Sequence, residues 1–145
     1  MSNISVFSRA HRALRSTSRF HFARSEPAFL DPHRHMVGDG QGEIVGIYEN
    51  PVGAEPQAIV VTEGGLLTLN SGSAHWIEFS QIASVKGPGA KLDDQGILLT
   101  LQSGASIALQ VAGRDGRFSD VFGFVRFLDR VLEDLRAKIS PDSSL

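Results

Sequence analysis

From Glu43 onward the chain alternates short apolar runs with turn residues, the spacing of strands rather than helices. EIVGIYE (43–49) predicts a strand, closed by NPVGAEPQ, whose prolines and glycine do not continue one. QAIVVT (57–62) and GLLTLN (65–70) flank an EGG turn, a hairpin signal because glycine accepts positive φ. AHWIEFS (74–80) follows an NSGS turn, and QIASVKG (81–87) continues after a kink. Beyond the polar loop GPGAKLDDQ, GILLTLQ (96–102) places Ile97, Leu99 and Leu101 on one face. ASIALQV (105–111) does the same with Ala105, Ile107, Leu109 and Val111, and Ser103-Gly104 predicts a two-residue turn between them. Seven strands result.

A helical period then takes over. Asp115 or Ser119 can cap the start with a side-chain oxygen, and Ser140-Pro141 ends the helix after about Ile139. Val121, Val125, Leu128, Leu132 and Leu135 form a stripe, with Arg130–Asp134 and Asp134–Lys138 as i,i+4 pairs. On a wheel of 3.6 residues per turn, Phe122, Val125, Leu128 and Leu132 centre the apolar face, and Phe124, Val131 and Phe127 widen it to an arc of roughly 220°. A helix resting on one sheet needs a stripe of only somewhat over ~100°. Phe127, at the edge, and Val131 are therefore candidates for contact with a partner. The competing reading is that residues 20–40, with Phe20, Phe22 and Phe29, cover them.

The first forty residues differ in texture. They are rich in Ser and Arg, with no acid before Glu26. On a helix, Arg9, Arg12, Arg15 and Arg19 share one side and Val6, Phe7, Ala10 and Leu14 the other. Three readings stand: a basic arm for a membrane or nucleic acid, a presequence-like segment, or sequence upstream of the domain with initiation at Met36. The chain is accordingly divided into a basic extension, flexible or loosely packed (1–40), a domain (41–139) and a tail (140–145).

Charge sharpens that division. The net charge of −2 combines six arginines against three acids in residues 1–40 with eight basic against thirteen acidic residues in the remainder. Residues 41–85 contain no Lys or Arg, yet hold Glu43, Glu49, Glu55, Glu63 and Glu78. A surface built from that half repels phosphate and favours a basic partner.

Seven short strands and one closing helix give the element order of the pleckstrin-homology-like (PH-like) superfold. IVVTEGGLLTL resembles its strand-turn-strand, HWIEFSQIASV its bacterial form, and FVRFLDRVLEDL its closing helix. The resemblance spans about residues 41 to 139. It implies a mainly β, α+β fold: a partly open barrel of seven antiparallel strands in two near-orthogonal sheets, capped by the C-terminal helix. Members that bind phosphoinositides place Lys and Arg at the open end. Here the first hairpin, ENPVGAEP, and the later NSGS turn carry none, which argues against a headgroup ligand. Other members accept peptides between the fifth strand and the helix by strand addition.

Chemistry is sparse. The absence of cysteine excludes thiolate chemistry, and no apolar run approaches the roughly 18 residues of a membrane span. The chain is expected in the cytoplasm. DPHRH (31–35) has the form of a weak metal motif, but without further ligands on a fixed scaffold no metal or cofactor is expected. His75 has no sequence neighbour suited to orient it as a base, so it is expected to be a strand residue beside Trp76. Trp76 is either an exposed binding anchor or is packed beneath the N-terminal segment or a sheet corner. With Phe127 and Val131, the partner-binding candidates are Trp76, Glu49, Glu55, Glu78 and Lys86. The expected function is non-enzymatic: an adaptor or inhibitor that binds a protein, by analogy with bacterial immunity proteins, with homo-oligomers allowed. The alternative is a peripheral membrane module held by Arg9, Arg12, Arg15 and Arg19, the only segment suited to nucleic acid as well.

Overall fold

The computed structural model describes residues 6–15, 17, 19–50, 56–70, 73–87, 96–111 and 119–139. The chain opens with a helix, α1 (Val6–Leu14), followed by a short strand, β1 (Phe20–Phe22), and three 3-10 turns between Pro27 and Gln41. Then come β2 (Ile44–Glu49), β3 (Ala58–Thr62), β4 (Gly65–Asn70) and β5 (Ser73–Glu78). A 3-10 turn at Phe79–Gln81 leads into β6 (Ile82–Lys86), β7 (Gly96–Leu101) and β8 (Ser106–Gln110), and α2 (Ser119–Ile139) closes the order. The seven predicted strands are present, and β1 is an eighth.

The result is a mixed α+β fold of two antiparallel sheets, one ordered β1-β2-β3-β4-β5 and the other β6-β7-β8. They do not close into a barrel; Asn50 bridges them instead, donating from Nδ2 to the carbonyls of Pro56 (2.8 Å) and Gln110 (2.6 Å). β3 and β4 are buried on both faces, as continuous apolar runs such as AIVV require. Strand alternation sends Ile59, Val61 and Leu66 into the main core with Phe124, Phe127 and Leu128 of α2. It sends Val60, Leu67 and Leu69 to a second cluster, roofed by Leu30 with Ala23 and Val37 at its margin.

The division at residue 40 is corrected by this packing. Val6, Ala10 and Leu14 of α1 are buried in the main core, and β1 pairs with β2. Glu63, in the β3–β4 turn, accepts from the first two backbone N–H groups of α1, those of Val6 and Phe7 (both 3.2 Å). These are donors without intrahelical partners, and the carboxylate also opposes the helix dipole. Arg9 makes two 2.8 Å bonds to Asp134 of α2. The helices meet at Gly123, where a Cβ would stand 3.1 Å from the Ala13 carbonyl oxygen. Asp134 thus pairs with Arg9 rather than Arg130, which pairs with Glu133 (3.4 Å).

One further detail differs from the sequence reading. Leu101 N–H donates to the Ala105 carbonyl, so the β7–β8 loop is the three residues Gln102–Gly104, not two. Gly104 has φ +94°, the left-handed residue such a loop needs. In the core, the hydroxyl of buried Tyr48 on β2 donates to Oδ2 of buried Asp120 at the start of α2 (2.8 Å).

Candidate functional site

Phe127 and Val131 are fully buried. The Phe127 ring stands edge-on to Phe124 and Phe79, with centroids 5.8 and 6.3 Å away. Neither offers a contact surface, and the sequence reading is corrected. The wide apolar arc of α2 is explained by two coverings, the sheets on one flank and α1 on the other. Phe122 is the residue left outside, 53% exposed. Helical period defined the arc but not which end would be uncovered.

Trp76 is half-buried and borders the second cluster, on the opposite face of β5 from the buried Ile77. Its ring edge fills the space over the β3–β4 turn: a Cβ at Gly65 would lie 2.9 Å from Trp76 Cη2. It is packed beside the roof formed by the N-terminal segment, not free as an anchor. His75 is an exposed strand residue opposite Thr68.

The acidic half is partly consumed within the fold. Glu63 caps α1, and half-buried Glu49 lies 3.7 Å from His21 Nε2, whose Nδ1 is 3.1 Å from Glu26. Glu43 and Glu78 are exposed; Glu55 lies outside the described residues. Of the arginines, Arg9 is committed to Asp134, whose hydrogen bond raises the Arg9 pKa above its ordinary value. Arg19 lies beyond the end of α1 and donates to the Glu49 carbonyl (3.4 Å), so it does not extend the helical row. Arg12 and Arg15 are exposed.

A mixed-charge groove of about 590 Å³ opens near the start of α1, lined among others by Phe7, Arg24, Arg34, Glu43 and Glu63. Its groups engage one another: the Arg24 guanidinium lies 3.9 Å over the Phe7 ring and Arg34 pairs with Asp31 (3.1 Å). That ion pair also occupies the acid of the 31–35 motif. Among the described residues no three His, Asp or Glu side chains are grouped to hold a metal ion. No described helix is long and apolar enough to cross a membrane.

The remaining surface lies along β6. This strand is the edge of its sheet, and among the described residues no strand pairs with its outer side. A register shift between Ile82 and Ser84 takes Ala83 out of step with β7. The Ala83 carbonyl accepts instead from Arg136 Nη2 of α2 (2.8 Å). Toward the other end of β6, Val125 of α2 lies against Gly87, where a Cβ would stand 3.2 Å from Val125 Cγ2. Lys86 is exposed at the strand's end, and Phe122, Arg126 and Asp129 are exposed on α2. Partial burial, with Glu133 adding repulsion, pushes the Asp129 carboxyl above the ordinary aspartate range. Sequence reasoning named Lys86 but missed Arg136, because nothing local to Arg136 announces a carbonyl 53 residues away. No protein-family model matches this chain, and comparison with curated proteins finds no match.

Proposed function

We propose that the chain is a non-enzymatic protein-binding module of PH-like type, an adaptor or inhibitor that receives an extended segment of its partner along β6. The observation that carries this reading is the outward-facing edge of β6 beside α2, with the Ala83 carbonyl directed off the sheet. An exposed strand edge supplies main-chain hydrogen bonds to an added strand, and the flanking helix supplies side-chain contacts. Two antiparallel sheets followed by a long helix support the PH-like assignment. α1 and β1 are additions to that plan. An inhibitor role of the immunity-protein kind rests on fold analogy alone.

The test is affinity capture from the native cell extract by the intact chain, in parallel with Phe122→Asp and Lys86→Glu variants. Both positions are exposed, so folding is retained. A partner held by the unaltered chain and lost from both variants supports the reading. A partner held equally by all three places binding elsewhere and sinks it.

Membrane attachment is the second reading, favoured by the exposure of Arg12 on α1, which carries no acid, and of Arg15 just beyond its end. The apolar face of α1 is already in the core, so this reading is confined to surface contact with anionic headgroups. Sedimentation with anionic vesicles that Arg12→Glu/Arg15→Glu abolishes would favour it.

A further inference from the structure

One face of α1 belongs to the main core, and another borders an open groove of about 430 Å³. Phe7, Ser8, His11, Arg12 and Arg15 line that groove, with Arg15 just past the end of the helix. His11, Arg12 and Arg15 are exposed. The His11 ring is steadied by aromatic neighbours, its centroid lying 5.9 Å from that of Phe7 and 5.7 Å from that of Phe22.

No acid lines this groove. Glu63 and Asp134, the acids bonded to α1, hold its first backbone N–H groups and Arg9. Glu133, whose charge also reaches Arg9, pairs with Arg130. Other N-terminal arginines are engaged elsewhere: Arg24 lies over the Phe7 ring and Arg34 is bonded to Asp31. Arg12 and Arg15 have neither an ion pair nor a hydrogen bond among the described residues. Like charges three residues apart on a helix repel each other, and an anion held between them removes that cost.

The donors select the anion. A carboxylate has two oxygens, and one guanidinium fork satisfies both. A phosphomonoester carries about −1.5 to −2 charge at pH 7 and three terminal oxygens, enough to accept from two forks. The imidazole adds at least one N–H donor in either protonation state. We infer that His11, Arg12 and Arg15 form a phosphate site whose ligand is a phosphomonoester, borne by a small soluble molecule or by a lipid headgroup. Such a site is independent of strand addition along β6. It also asks more of a membrane than the net negative charge that suffices for the second reading above.

The test titrates inorganic phosphate into the full ¹⁵N-labelled chain at fixed ionic strength, with acetate as the matched control. Phosphate is expected to give saturable shifts in the amides of Phe7–Arg15 and in the Nε–H groups of Arg12 and Arg15. Arg12→Gln/Arg15→Gln is expected to weaken binding at least about tenfold, while the unaltered part of its spectrum reports that it is folded. Arg126→Gln, at an exposed arginine of α2, is expected to bind like the unaltered chain. Equal shifts with acetate, or undiminished phosphate binding by the double variant, would overturn the site. Sedimentation with phosphatidylcholine vesicles containing phosphatidic acid or phosphatidylserine, at matched net charge, separates the two sources. Stronger pelleting on phosphatidic acid, competed by inorganic phosphate, places the phosphomonoester on a lipid. Saturable phosphate binding without pelleting on either vesicle keeps the site, assigns it to a soluble ligand and removes the membrane reading. Equal pelleting on both without saturable phosphate binding keeps the membrane reading and overturns the site.

Discussion

The two sheets of this molecule are built to different standards of burial. In the five-stranded sheet, β3 and β4 present apolar side chains to both faces, one against the main core and one beneath the Leu30 roof. In the three-stranded sheet only one face is covered among the described residues: Ile97, Leu99 and Leu109 are buried, whereas Lys86, Leu98 and Ala108, aligned across β6, β7 and β8, are exposed. The first sheet contributes to both clusters, the second to the main core alone. Among the described residues the second has one exposed face, and no strand pairs with the outer side of β6.

Leu30→Ala gives the comparison its hardest test. It opens the roof over a fully buried cluster and is expected to cost about 2–5 kcal/mol in denaturant unfolding. A loss under ~1 kcal/mol, near the bottom of what core truncations cost, would mean the roof is not an independent source of stability. Glu63→Ala comes next: it strips two N–H groups at the start of α1 of their acceptor, for an expected loss of about 0.5–2 kcal/mol. Hydrogen exchange concentrated in α1 would confirm where the loss falls. Leu98→Ser, on the uncovered face, is expected to change stability by no more than about 0.5 kcal/mol. A larger effect would show that this face is covered after all.

The smallest change expected is from Asp129→Asn. The native carboxyl titrates above the ordinary range because partial burial disfavours its charge, so protonation favours the native state. Its contribution is fully present below the unfolded aspartate value of about 3.9 and is lost as pH rises through the native value. The variant should therefore be slightly more stable than the unaltered chain at neutral pH, with the gap closing in acid. Solvent screening keeps the gain small, and thermal melts across pH 3–8 would measure it.

What the sequence made legible divides along the same line as the physics. Strand alternation from Glu43 to Val111 identified seven strands, because a two-residue period needs only local information. β1 escaped because FHF is too short to show a period and exists as a strand through its pairing with β2. Val6, Ala10 and Leu14 were visible as an apolar stripe, but the surface that receives it was not. The same gap exchanged the roles of Phe127 and Phe122: α1, more than a hundred residues earlier in the chain, decides which flank of α2 is covered. Glu63 looked like surface charge in a turn, and its role as a helix cap depends on a contact 57 residues distant. Trp76 and Arg136 were likewise settled by neighbours that no local pattern specifies.

The chain has one tyrosine and one tryptophan, and the five-stranded sheet lies between them. Tyr48 belongs to the main core, and Trp76 borders the roofed cluster. Intrinsic fluorescence therefore comes with two reporters already installed, one on each side of the same partition. Red-edge excitation follows the indole alone, so separation of its melting curve from the phenol signal would time the lifting of the roof against collapse of the interior.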